Sequence, residues 1–79
     1  MEIATLITVD TDILGGQPVF SGTRVPVESL FDHLEAGISL YEFLEDFPTV
    51  TKEQAIAVLD VSNKLMSSRN LNQLYAAVA

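Results

Sequence analysis

One histidine, His33, and eleven carboxylates are the first places to look for chemistry in this chain, and no cysteine accompanies them. Acid–base catalysis needs such a group within hydrogen-bond reach of a partner and of a substrate. His33 falls on the flank of a helical stretch, with Asp32 and Glu35 near it in sequence. The carboxylates fall on outward helix faces, so no converging acid–base pair emerges. Without cysteine there is neither a disulfide framework nor a thiolate metal site. Gly15-Gly16-Gln17-Pro18 has no following Gly-Lys-Ser/Thr and leads into an extended piece, so it is not a phosphate-binding loop. The chain is expected to be non-enzymatic, with no cofactor, no metal and no small-molecule substrate.

The elements that would position these groups read mainly as helix. Ile3 to Val9 is an apolar, β-branched run and predicts a strand. Asp10-Thr11-Asp12 and Gly15-Gly16 break it. Pro18–Phe20 and Thr23–Val25 read as two short extended pieces around a tight turn at Ser21-Gly22. Pro26 suits the first turn of a helix, where a missing N–H costs nothing.

Three helices follow. In the first, Val27, Leu30, Phe31 and Leu34 form one apolar stripe, and Gly37 is placed to end it in a left-handed conformation. The second spans residues 39–47. It opens with the capping box Ser39–Glu42, repeats the stripe with Leu40, Phe43, Leu44 and Phe47, and stops at Pro48. Ile38 is placed to staple onto Phe43. The third opens with a capping box at Thr51–Gln54 and has Val50 in the staple position. Its inner face is Ala55, Val58, Leu59, Ser62, Leu65 and Met66. Beyond it, Leu71, Leu74, Tyr75 and Val78 predict either a frayed extension or a fourth short helix capped by Asn70. That tail either packs back on its own domain or docks on a partner.

The expected fold is therefore mainly α: one domain over residues 1–79, with a β-rich element (1–26), a tri-helical, homeodomain-like core (27–69) and a tail (70–79). Two short helices joined by Pro48-Thr49-Val50 match the framework of a helix-turn-helix reader. On that reading the third helix faces DNA, with Thr51, Lys52 and Gln54 in its first turn and Lys64 further along. Gln can read adenine edges, and Lys can reach guanine or phosphate. A DNA reader usually carries a strong basic footprint, whereas this chain has four basic residues in all. A tri-helical bundle is also a common purely structural solution.

Net charge is −7, and it is unevenly spread. Residues 1–50 hold nine acids against Arg24 alone, while residues 51–79 hold Lys52, Lys64 and Arg69 against Glu53 and Asp60. Such an acidic surface either keeps a small protein soluble or meets a basic partner. No apolar run approaches the roughly 20 residues of a membrane span, and Glu2 stands where a secretory signal would be basic. A cytoplasmic location with no membrane partner is expected. A core this small, preceded by a strand with exposed edges, is also expected to form a homodimer through its N-terminal β element.

Gly16-Gln17-Pro18-Val19-Phe20-Ser21-Gly22-Thr23-Arg24-Val25-Pro26-Val27, with the later Ala36-Gly37-Ile38-Ser39 and Phe47-Pro48-Thr49-Val50-Thr51-Lys52-Glu53-Gln54, resembles domain-of-unknown-function family 433. The resemblance covers about residues 7–66 in order, and its most specific part is Gly22-Thr23-Arg24. It implies a small β element before a homeodomain-like tri-helical core, and an antitoxin paired with a PIN-like ribonuclease toxin. It departs at Gln17, where the family usually has Lys, and at Phe20-Ser21, which lacks a basic residue often found nearby. Both departures remove positive charge and weaken a DNA-binding role more than an antitoxin one.

Gly22 suits a turn that needs positive φ, and Thr23 can donate and accept locally. Arg24 can clamp the β element to the acidic helices or contact a partner. The candidate partner contacts are Arg24, Asp32 and Glu35, with Leu71, Leu74 and Tyr75 as apolar anchors. Two functions follow. One is an antitoxin that occludes a basic ribonuclease toxin, with binding of its own promoter DNA as an optional addition; the other is a protein-interaction adaptor that binds neither toxin nor DNA.

Overall fold

A computed structural model describes residues 3–67 and 69–78, and the side chains of Arg69, Asn70, Leu74, Ala77 and Val78 lie outside what it describes. The order is α1 (Ile3–Leu6), β1 (Ile7–Thr8), a 3₁₀ turn (Leu14–Gly16), β2 (Val19–Phe20), α2 (Val27–Glu35), α3 (Leu40–Asp46), α4 (Lys52–Met66) and α5 (Arg69–Val78). The fold is a small helical bundle with a two-stranded antiparallel sheet, in which Ile7 pairs with Phe20 and Thr8 with Val19.

The expected strand over residues 3–9 is mostly absent. Only Ile7 and Thr8 are strand, and residues 3–6 form one helical turn. Burial explains the change. Leu6 is fully buried and Ile7, directly after it, packs against the same core. Two consecutive residues of one strand point to opposite faces, so the backbone must change type between them, and packing overrides β-propensity. The long exposed edge expected to support a homodimer is thereby reduced to two residues.

The turn-linked extended pieces are present. Phe20 N–H donates to the Val25 carbonyl at 3.0 Å, and Val27 N–H donates to the Pro18 carbonyl at 3.0 Å. The second of these occupies an amide at the start of α2 that its own helix leaves unpaired. Pro26 sits one residue ahead of α2, as its N-cap.

The ends of α2 to α4 follow local signals. Gly37 has φ +80°, its N–H donates to Leu34 O at 3.0 Å, and Ile38 N–H donates to His33 O at 2.9 Å. This pair is a Schellman motif. Ser39 Oγ accepts from Glu42 N–H at 3.1 Å, which is one half of a capping box. At α4 both halves form: Thr51 Oγ1 accepts from Gln54 N–H at 3.1 Å, and Gln54 Oε1 accepts from Thr51 N–H at 3.0 Å.

Leu6, Phe20, Leu30, Phe43, Val50, Ala55 and Val58 form the buried core. Phe31, Leu34, Leu40, Leu44 and Leu59 pack on its margins, as the helical stripes anticipate. Leu65 and Met66 do not join it: they are 57% and 62% exposed. At 1.5 Å per residue α4 runs about 22 Å, whereas α2 runs about 14 Å and α3 about 11 Å, and α4 contacts α1 and α5. α5 begins at Arg69, which places Asn70 inside the helix rather than at its cap. Leu71 is half-buried and Tyr75 is 71% exposed.

Two substitutions test this packing. Leu6→Ala should lower the unfolding free energy by about 2–5 kcal/mol, while Ile3→Ala, on the exposed side of α1, should change it by less than about 1. Urea unfolding measures both, and a larger cost for Ile3→Ala than for Leu6→Ala would restore a strand reading, in which residues 3 and 6 face opposite ways. Gln54 also donates through Nε2 to the Ser21 carbonyl at 2.9 Å, across 33 residues. Gln54→Ala should therefore cost about 1–3 kcal/mol, against about 0.5 or less for its exposed neighbour Lys52→Ala.

Candidate functional site

The Gly22-Thr23-Arg24 turn is the most tightly organised surface feature. Gly22 has φ +77°, a conformation that favours glycine. Thr23 donates its hydroxyl to the Phe20 carbonyl at 2.8 Å and accepts from Val25 N–H at 3.0 Å. Thr23 N–H donates to the same Phe20 carbonyl at 3.0 Å. Ser21, just before the turn, is held on both sides: its N–H donates to Leu6 O at 3.0 Å, and its carbonyl accepts from Gln54. Glycine and threonine of the motif are thus structural, fixing the path of the chain.

Arg24 is the exception. It is exposed and, among the described residues, makes no ion pair and no hydrogen bond. The expected clamp to the acidic helices is not formed. Arg24 stands beside an open concavity of about 550 Å³, with Thr8, Ile13, Val25 and Thr49 among its other lining residues.

A second surface is strongly acidic. Glu28, Asp32 and Glu35 lie at i, i+4 and i+7 on α2, and Glu42, Glu45 and Asp46 at i, i+3 and i+4 on α3; all six are exposed. Each set forms one stripe, and residues 27–46 contain no Lys or Arg. Glu45 also touches this surface's aromatic residue: its hydrogen bond to Tyr41 pushes the phenol pKa up, with desolvation adding to the push. Glu28 accepts from Gln17 Nε2 at 3.0 Å. Gln17 therefore keeps a polar bond at the position where the family usually has Lys, without the charge.

His33 does not stand alone on the surface. Its Nδ1 is 2.8 Å from the Ser29 carbonyl and its Nε2 is 3.5 Å from Asp46 Oδ2. Its ring stands edge-on to Phe43 and Phe47, at centroid distances of 5.3 and 5.5 Å. It joins α2 to α3, a role that helical periodicity did not reveal because Phe43 and Asp46 come from the next helix and Phe47 is the residue that caps it.

The residues expected to face DNA do not form one surface. Thr51 and Gln54 bond each other, and Gln54 is further tied to Ser21. Lys64 pairs with Asp60 at 3.0 Å. Lys52 is exposed, but twelve helical residues put it about 18 Å along and about 120° around from Lys64. Among the described residues no group of three or more His, Asp or Glu side chains could hold a metal ion, and no described helix is long and apolar enough to cross a membrane.

Comparison with known proteins agrees with the motif. An uncharacterized protein of Sinorhizobium fredii, y4eO, is 43% identical over 49 residues, which are 62% of this chain and 22% of that protein. The chain therefore corresponds to about a fifth of that relative's length. No solved structure matches. The model of the family described as "protein of unknown function (DUF433)" matches residues 7–60, carrying the β element, the Gly-Thr-Arg turn and the helices through most of α4, and the chain belongs to that family.

Proposed function

We propose that this domain is a non-catalytic protein-binding module that meets a basic partner through the acidic stripes of α2 and α3. In the finer form of this reading it is an antitoxin, and the partner is a PIN-like ribonuclease toxin. The single observation that carries the coarser proposal is the set of six exposed carboxylates on two consecutive helices without one Lys or Arg between them. An RNA-cleaving partner must offer positive charge along its groove, and opposite charge speeds encounter and fixes register. The ribonuclease identity rests on the family resemblance.

Operator binding has less support. With Thr51 and Gln54 bonded within the domain and Lys64 paired to Asp60, Lys52 is the unpaired cation on α4 among the described residues. A net charge of −7 repels phosphate at range. Binding to protein alone is therefore the favoured mode. A cytoplasmic setting and a homodimer belong to the same proposal; neither is needed for the acidic face to act.

Co-expression with the product of the neighbouring gene should rescue growth that this product alone arrests. Asp32→Lys with Glu35→Lys changes only exposed positions, so it should leave the fold intact, slow association by about tenfold or more at low salt and flatten the salt dependence. Ending the chain before α5 should instead raise the off-rate, by removing the anchoring expected from Leu71, Leu74 and Tyr75. Wild-type association kinetics in both variants would discard the proposed surface. A harmless neighbour would discard the antitoxin form and leave the adaptor form.

A further inference from the structure

We infer that the concavity beside Arg24 is a recognition site for a carboxylate-bearing peptide. The acid pairs with the Arg24 guanidinium, and an adjacent apolar side chain rests on Ile13 and Val25. This site is separate from the acidic stripes of α2 and α3 and does not depend on what those stripes bind.

Three observations carry the inference. First, Arg24 is the only Lys or Arg in residues 1–50, is exposed, and has no partner among the described residues, although that half of the chain holds nine acids. Second, the turn is braced by hydrogen bonds within the domain. Thr23 is bonded to Phe20 and Val25, and Ser21 is held by Leu6 and Gln54. A preorganised loop loses little conformational freedom on binding. Third, the cation stands beside a concavity of about 550 Å³ whose wall includes apolar Ile13 and Val25, with the Thr49 side chain exposed at its edge.

The chemistry selects a carboxylate over other anions. A guanidinium fork matches planar carboxylate and tetrahedral phosphate alike. The domain's net charge of −7, however, repels a dianionic phosphate or a nucleic acid more strongly than a singly charged side chain. The apolar wall adds contact that a peptide can use and a free phosphate cannot.

The probes are the capped dipeptides acetyl-Leu-Glu-amide and acetyl-Leu-Gln-amide, and inorganic phosphate, titrated into the ¹⁵N-labelled full chain. The Glu peptide should give saturating shifts at the amides of residues 22–25 and Thr49, and the Gln peptide should bind about tenfold more weakly. Arg24→Gln should lose the preference for Glu while keeping a wild-type spectrum elsewhere, and Arg24→Lys should recover only part of it. The inference is overturned if no amide in the turn shifts by about 10 mM peptide, if the Gln peptide binds as well as the Glu peptide, if Arg24→Gln is indistinguishable from wild type, or if phosphate binds as tightly as the Glu peptide. None of these outcomes bears on growth rescue by the acidic face.

Discussion

The contact between Phe20 and Phe43, with ring centroids 6.2 Å apart, joins the sheet to the helices inside one core. Phe20 belongs to the sheet and Phe43 to α3, and both are fully buried. Phe43 then touches Phe47 at 5.1 Å and His33 at 5.3 Å. The sheet, α2 and α3 thus meet around one ring, with Leu6 and Leu30 in the same buried cluster. A domain of 79 residues has room for little more than one such cluster, so most other features serve to hold these side chains in register.

Hydrogen bonding around the Gly-Thr-Arg turn does much of that holding. The peptide of Ser21 receives Gln54 on one side and bonds Leu6 on the other, directly after the buried Phe20. The residues most characteristic of the family therefore border the core as well as the surface. Gly22 and Thr23 shape the chain, and Arg24, carried on the same turn, is left available. Structure and recognition are divided between adjacent residues.

How much was legible in the sequence follows from the range of each signal. The stripes of α2 and α3, the glycine end at Gly37 and the capping box at Thr51 are set by residues at most four apart, and each appears where spacing places it. Residues 3–6 read wrongly because β-branched composition speaks for a strand, while the burial of both Leu6 and Ile7 is imposed from elsewhere. Leu65 and Met66 fit the stripe of α4 but stay exposed, at the end of the helix that leads into α5. The far bond of Gln54, the edge-on rings at His33 and the unpaired state of Arg24 all depend on other elements, so no local pattern could reveal them. The site was legible as a motif, and its division of labour was not.

The 33-residue span from Ser21 to Gln54 also bears on how the domain reaches its folded state. α2 and α3 are separated by four residues and can pair early, since short loops cost little chain entropy. Alone, however, they leave Phe43 without the sheet residue that covers it. Closing the longer loop brings Phe20 over that ring and seats Gln54 on Ser21 in the same step. The finished core therefore needs this non-local closure as well as the local pairing of α2 with α3. A chain stalled before it would carry paired helices with their largest apolar side chain facing water.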